Sequence, residues 1–164
     1  MVWKRKIARW MSNPLLQYIM RLYVSIMIPR QRIGVSLVVF NQENKILLLE
    51  HVFHPKSPWG LPSGWLKRRE SPVAGALREL KEETGLEAEI GPTLWIDNGP
   101  DTAFIGIIFS AEAVPGDIRL STEILSYAWV DCDELPWGMN AEVYTAVTRA
   151  QKLRLLRKSA KDIG

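Results

Sequence analysis

Apolar runs separated by turn signals predict a mixed α/β fold for most of the chain. Residues 33–40 (IGVSLVVF) and 45–50 (KILLLE) flank an NQEN turn, and short runs of this kind are typical of buried strands. Residues 51–63 contain three prolines and are predicted to form a loop. A terminal amphipathic helix with a basic end is predicted over residues 140–158. Three further strands are predicted between turns, at residues 88–98, 102–114 and 124–130.

Residues 71–84 carry the end signals of a helix. Ser71 is a good N-cap, Pro72 suits the first helical position, and Gly85 can adopt the left-handed conformation of a C-cap. A rotation of about 100° per residue separates two faces that lie roughly 140° apart. The apolar face contains Val73, Leu77, Leu80 and Thr84, and the acidic face contains Glu79, Glu82 and Glu83.

The acidic face predicts either a metal site or a solvated surface. Like charges at these spacings destabilise a helix by about 0.2–0.5 kcal/mol per pair, and a divalent cation reverses the sign of that interaction. Oxygen ligands suit a hard ion such as Mg²⁺ or Mn²⁺. Such an ion can polarise a phosphoryl group and lower the pKa of an attacking water.

A longer pattern includes this helix. It reads Gly, five residues, Glu, seven residues, Arg-Glu-aliphatic-any-Glu-Glu-any-Gly-aliphatic, and is filled by Gly64, Glu70, Arg78, Glu79, Leu80, Glu82, Glu83, Gly85 and Leu86. This is the signature, or box, of the Nudix hydrolases, and the chain resembles that family. The resemblance implies an α/β/α sandwich with a mixed central sheet. It also implies a metal-dependent enzyme, usually using magnesium, that hydrolyses a diphosphate bond in a nucleoside diphosphate linked to another group.

The resemblance also implies roles inside the box. The carbonyl of Ser63 would join Glu79, Glu82 and Glu83 as a metal ligand, and Arg78 would orient a neighbouring carboxylate. Gly64, Glu70 and Gly85 would shape the loop and the helix. In this chain Ser63 and Arg69 stand where the family usually has glycine, and both departures are expected to alter loop shape rather than catalysis.

A few residues around the box are further candidates. Glu123 precedes the last strand, where Nudix enzymes often place a glutamate that reaches the metal or acts as general base. Lys67 and Arg68 lie in the box loop, where they could contact substrate phosphate or remain solvated. Trp59 and Trp65 could stack a base, and Trp59 is also a candidate for the core.

Composition places the chain among ordinary globular proteins. Its 164 residues suit one domain, and a single cysteine, Cys132, excludes an intrachain disulfide and fits a reducing cytoplasm. No stretch of 18 uncharged apolar residues predicts a transmembrane helix. We expect a basic, apolar helical leader at residues 1–32, a catalytic domain at 33–158 and a tail at 159–164.

The leader admits three interpretations. Its apolar segment 15–28 carries Arg21 and follows several basic residues, and the first acidic residue is Glu43. It could pack as a helix on the domain or on a second copy in a homodimer. It could also lie on a membrane surface, which would make the protein peripheral to the membrane. The third interpretation, a nucleic-acid arm, carries less weight.

The substrate is less determined than the reaction. The first hypothesis is a small nucleoside diphosphate derivative, such as a nucleotide sugar or a CDP-alcohol. The alternatives are a house-cleaning nucleoside triphosphate pyrophosphatase and an RNA 5′-end pyrophosphohydrolase, the second of which is weakly favoured by the pI near 9.1. A Nudix-fold binding module without catalysis is the rival from another class. Such modules usually lose box glutamates, and this chain retains them.

Overall fold

The N-terminal part of the chain forms a unit of its own. The computed structural model describes residue 3 and residues 13–27, 31–53, 57–98 and 104–161, and it divides into residues 1–31 and 32–164. Helix α1 (Pro14–Met27) begins after Asn13, whose side-chain oxygen accepts a hydrogen bond of 2.9 Å from the Leu15 N–H. The rest of the predicted leader, apart from Trp3 and residues 31 and 32, lies outside the described residues.

None of the described helices is long and apolar enough to cross a membrane. The predicted tail, residues 159–164, is not separate at its start. The last helix continues to Lys161, and of the predicted tail only residues 162–164 lie outside the described residues.

The second unit contains one mixed sheet and two helices. The helices are α2 (Pro72–Thr84) and α3 (Ala141–Lys161). In the described residues the sheet has seven strands: β1 (Arg32–Phe40), β2 (Ile46–His51), β3 (Trp59–Gly60), β4 (Ser63–Trp65), β5 (Ala88–Asp97), β6 (Phe104–Ala113) and β7 (Ile124–Val130).

The sheet is mixed because β1 and β6 pair in parallel and the other pairs are antiparallel. The strand order is β3-β2-β1-β6-β5, with β4 beside β1 and β7 beside β2. The five longer strands agree with the predicted ones to within two residues at each end. The expectation of a loop throughout 51–63 was wrong, because β3 and the first residue of β4 lie there. Strands β3 and β4 are too short to show an alternation of apolar and polar residues, and prolines flank them in the sequence.

Residues of β1 alternate between two cores, which explains why its second half, residues 37–40, is apolar without interruption. Val35, Leu37 and Val39 pack in one cluster with Ala76 and Leu80 of α2. The intervening Val38 and Phe40 pack in the other cluster with Ala146 and Val147 of α3. A strand buried on both faces needs apolar residues at every position. The layers are therefore helix, sheet and helix, as the fold class predicted.

Helix α2 has the predicted ends but a different apolar face. The Ser71 side chain accepts a hydrogen bond of 3.2 Å from the Ala74 N–H, and Gly85 has φ 74°. Val73 is 37% exposed, so its assignment to the apolar face was wrong, and Ala76 takes its place beside Leu80. These two residues and Thr84 are spaced i, i+4 and i+8, and this row meets the sheet directly.

One edge of β1 is shared by two strands. Strand β4 pairs with residues 34–36, whereas β2 pairs at Phe40. The opposite edge is paired along its whole length with β6. The box loop is thereby placed against the first half of β1, next to the start of β6.

Candidate active site

Carboxylates of the box and of the segment before β7 line one cleft. The cleft has a volume of about 760 Å³ and is lined by Glu79, Glu83 and Glu123, among others. Glu83 is only 7% exposed, and its Oε2 accepts a hydrogen bond of 3.1 Å from the Ser63 N–H. Its Oε1 lies 4.0 Å from Nδ1 of His51, which also lines the cleft. The structure thus brings together acids that are 40 residues apart in the sequence, at positions 83 and 123.

The position of Glu83 strongly disfavours its charge. Burial raises the pKa of Glu83 to about 8, although the hydrogen bond from the Ser63 N–H acts in the opposite direction. The negative charges of Glu79, Glu123 and Glu82 raise the pKa further. An excess of negative charge in a partly buried place is what a bound cation would relieve.

Arg78 connects the helix to the loop that precedes it. Its guanidinium donates two hydrogen bonds to Glu70, of 2.8 and 2.9 Å, and one of 3.1 Å to the carbonyl of Trp65. It also donates to Glu79 at 2.7 Å and to Glu82 at 2.9 Å. One side chain therefore holds the loop and two of the box glutamates in place. Arg78 is not among the described residues that line the cleft.

Glu70 fixes the loop in front of α2. The two hydrogen bonds from Arg78 and a third, of 2.9 Å, from the Lys67 N–H lower the pKa of Glu70 to about 2. The turn that they close contains Arg69, which has φ 66°. The left-handed conformation explains why glycine is usual at this position of the box.

The contact between the loop and Glu79 explains Gly64. A Cβ atom at this position would overlap the Glu79 carboxyl group. The loop therefore approaches the acidic helix as closely as a backbone without a side chain allows. Any other residue would displace either the loop or the carboxylate.

The structure separates the candidate substrate residues. Trp65 lines the cleft and is 48% exposed. Trp59 does not line the cleft and packs against the core cluster of α3. Lys67 pairs with Glu82 at 2.9 Å. Arg68 is exposed and, like Lys67, is not among the residues that line the cleft.

Sequence reasoning missed Trp95 and Phe104, which also line the cleft. They lie on β5 and β6, far along the chain from the box. Only the parallel pairing of β6 with β1 brings Phe104 opposite Arg32 and close to Trp65. A short motif search cannot find such a pair.

The acidic residues fit a hard divalent cation by their chemistry. The donors of the box are oxygen atoms, as Mg²⁺ and Mn²⁺ prefer. Glu79 and Glu83 face the cleft, whereas Glu82 is held by Lys67 and Arg78. Among the described side chains, no three acidic, histidine or cysteine groups are already arranged to hold a metal ion. Glu82 would have to leave Lys67 to join such a site.

Comparisons with known proteins agree with this geometry. A family model of the NUDIX domain matches residues 30–150. The chain belongs to the Nudix family. The MutT-like protein of Streptomyces ambofaciens is 28% identical over 116 residues, which cover 71% of this chain and 73% of that protein. The ADP-ribose pyrophosphatase of Methanocaldococcus jannaschii is 28% identical over 103 residues, or 60% of this chain and 61% of that one.

The Nudix fold is also found in solved structures. A crystal structure of a Nudix hydrolase from Nitrosomonas europaea aligns with a TM-score of 0.68 and 25% identity, and the alignment covers 77% of this chain and 73% of that chain. The chain is therefore a Nudix hydrolase, an enzyme that hydrolyses pyrophosphate bonds. Nudix hydrolases generally need a divalent metal.

Proposed function

We propose that the chain is a pyrophosphohydrolase that uses Mg²⁺, or Mn²⁺, to cleave a nucleoside diphosphate linked to another moiety. Nucleotide sugars and CDP-alcohols are the substrate types that we favour. One observation supports this most directly: Glu79, Glu83 and Glu123 share a cleft with the exposed ring of Trp65. Such a cleft offers an acidic place for a cation with its phosphates and an aromatic surface for the rest of the nucleotide. The similarity to an ADP-ribose pyrophosphatase supports the same class.

The metal would be held by Glu79, Glu82 and Glu83 together with the carbonyl oxygen of Ser63. When bound, it would neutralise diphosphate charge, polarise the phosphoryl group and lower the pKa of water. As a metal ligand, Glu83 would need a defined orientation of its carboxylate. The hydrogen bond from the Ser63 N–H holds one of its oxygens and leaves the other directed toward His51.

Glu123 is the candidate general base. It is exposed, lines the cleft, and its charge reaches Glu83, since it contributes to the raised pKa there. In the proposed reaction, its carboxylate accepts a proton from the water that attacks one phosphorus atom. The bond between that phosphorus and the bridging oxygen breaks, and two monophosphate products leave. Arg78 would affect the reaction indirectly, because its hydrogen bond holds Glu79 in position.

The test is a hydrolysis panel with a matched pair of variants. Phosphate and nucleotide release are measured with Mg²⁺ and with Mn²⁺ on nucleotide sugars, CDP-alcohols, dinucleotides, nucleoside triphosphates and 5′-triphosphate RNA. Glu83→Gln keeps the size of the side chain and an oxygen that can accept the Ser63 hydrogen bond. Glu87→Gln is the control, because Glu87 is an exposed glutamate that pairs with Lys81 and does not line the cleft.

We expect metal-dependent release from nucleoside diphosphate derivatives that falls by at least about 100-fold in Glu83→Gln and is unchanged in Glu87→Gln. Faster release from triphosphates or from RNA would replace the substrate class that we favour. Equal turnover of wild type and Glu83→Gln would refute the assignment of Glu83 as a ligand.

For the N-terminal unit we propose peripheral contact with an anionic membrane surface. The unit carries Lys4, Arg5, Lys6, Arg9 and Arg21 without an acidic residue, and α1 carries Tyr18 and Tyr23. Basic charge with interfacial aromatic residues suits anionic lipid. The full-length chain should sediment with anionic vesicles and remain in solution with zwitterionic ones.

A homodimer is the alternative, and analytical ultracentrifugation would detect it. A cytoplasmic location stays a prediction.

A further inference from the structure

Part of the cleft wall is built from aromatic rings. Trp65 and Phe104 meet edge to face, with ring centroids 5.1 Å apart and planes at 87°. The Arg32 guanidinium lies 5.9 Å from the Trp65 ring centre. Trp95 lines the same cleft from β5. Trp65 is 48% exposed, so that about half of its surface remains accessible to a ligand.

Two glycines lie beneath these rings. Gly34 of β1 and Gly106 of β6 are direct partners in the parallel pairing, so the same face of both strands lacks a side chain at this point. A Cβ at Gly34 would lie 3.6 Å from the Trp65 ring and 3.7 Å from the Phe104 ring. A Cβ at Gly106 would lie 2.7 Å from the Trp95 ring. The rings of Trp65 and Phe104 therefore pack on the backbone of Gly34, and the ring of Trp95 packs on that of Gly106.

We propose that this ring platform, made of Gly34, Trp65, Trp95, Phe104 and Gly106, holds the nucleobase of the substrate. The inference rests on the proposed function and extends it to the residues that select the nucleotide. Three aromatic rings that line the cleft, packed on backbone without side chains, fit a planar heteroaromatic ring better than a sugar or an alkyl chain. Stacking on aromatic side chains contributes about 5- to 150-fold in affinity per base.

The platform adjoins the carboxylates of the cleft. Trp65 follows Gly64 directly, and Gly64 touches the Glu79 carboxyl group. A base on the platform would therefore lie beside the carboxylates, within reach of which its diphosphate would be placed. The platform is composed of residues from four strands, β1, β4, β5 and β6, so its shape is set by the sheet rather than by one loop.

The probes are AMP and ribose 5-phosphate, which share a sugar phosphate and differ in the base. Neither contains a diphosphate bond, so binding can be measured by calorimetry without turnover. Wild type should bind AMP at least about fivefold more tightly than ribose 5-phosphate. Trp65→Ala should reduce this preference to about onefold, and Trp65→Tyr, which keeps a ring, should retain most of it.

Gly34→Ala is a steric probe that leaves the fold intact. Its added methyl group would meet the Trp65 and Phe104 rings at ordinary contact distance and would stand between these rings and β1. We expect AMP to bind about fivefold or more weakly and ribose 5-phosphate to bind as before.

Two variants outside the cleft control for the change of residue type. Gly116→Ala adds a methyl whose nearest atom, in Leu86, is 3.8 Å away, and Gly116 does not line this cleft. Trp137→Ala removes a tryptophan that is 99% exposed and does not line the cleft either. Both should bind AMP and ribose 5-phosphate like wild type.

Equal binding of AMP and ribose 5-phosphate by wild type would overturn the proposal. So would an unchanged preference in both Trp65→Ala and Gly34→Ala, or equal weakening of both probes. The hydrolysis panel separates this inference from the proposed function. Turnover without a preference for AMP rejects the platform alone, whereas the preference without any turnover supports the platform and rejects the function.

Discussion

Replacement of Arg69 by glycine is expected to stabilise the protein. Arg69 has φ 66° in the turn between Lys67 and Glu70, and the left-handed conformation destabilises a residue with a Cβ by about 1–2 kcal/mol. Glycine relieves this strain but gains freedom in the unfolded chain, which offsets about 0.4–1 kcal/mol. The net gain in the free energy of unfolding should be about 0.5–1 kcal/mol.

The neighbouring Arg68→Gly variant is the control. Arg68 is also exposed and is not among the described residues with positive φ. Both variants remove one arginine from the same loop, so their loss of charge cancels in the comparison. Arg68→Gly should lose about 0.4–1 kcal/mol, because only the entropy of the unfolded chain changes. The two variants should therefore differ by about 1–2 kcal/mol.

Urea unfolding followed by circular dichroism measures this difference. The m-value should be equal in wild type and both variants, so that the midpoint reports stability. In thermal melts, Arg69→Gly should unfold about 1–4 °C above wild type for a chain of this size. If Arg69→Gly is no more stable than Arg68→Gly, the left-handed turn does not carry strain and the reasoning fails.

Three other variants test the site. In EDTA, wild type should lose stability relative to Glu83→Gln as the pH rises from about 4.5 to about 8, since the folded Glu83 carboxyl keeps a proton that the unfolded one has released. Urea unfolding across this pH range measures the difference in stability, and parallel curves of stability against pH for the two proteins would contradict a raised pKa of Glu83. Gly64→Ala should reduce kcat by about 100-fold through displacement of Glu79, while Gly116→Ala remains near wild type; comparable kcat values for both would argue against the contact. Arg78→Lys loses the paired bonds to Glu70 and should raise the Mg²⁺ concentration for half-maximal rate by about 10–100-fold, whereas an unchanged metal dependence would make Arg78 purely structural.

Local signals in the sequence account for the elements that were predicted correctly. Helix α2 could be placed because Ser71, Pro72 and Gly85 act within one turn of its ends. Strands β1 and β2 could be placed because burial on both faces makes most of their positions apolar. The short strands β3 and β4 were missed because they exist only through pairing with β2 and β1.

The roles of individual glutamates depend on contacts that the sequence does not show. Periodicity placed Glu79, Glu82 and Glu83 on one face of α2 as equivalent carboxylates. In the structure, Glu83 is buried, whereas Glu82 is paired with Lys67. The difference arises because β4 covers one side of the helix, where the Ser63 N–H meets Glu83. Helical spacing alone cannot predict which neighbour covers which side chain.

The sequence by itself determined the family, the reaction class and the positions of the box residues, because the box is contiguous and its chemistry depends on spacing along one loop and one helix. Only the tertiary structure decided which residues complete the cleft. Glu123, Trp95 and Phe104 reach it from three different segments of the chain. They do so because β6 pairs with β1, β5 pairs with β6, and β7 pairs with β2. Glu123 could be proposed only through the family resemblance, and long-range strand pairing leaves no local pattern from which Trp95 and Phe104 could be predicted.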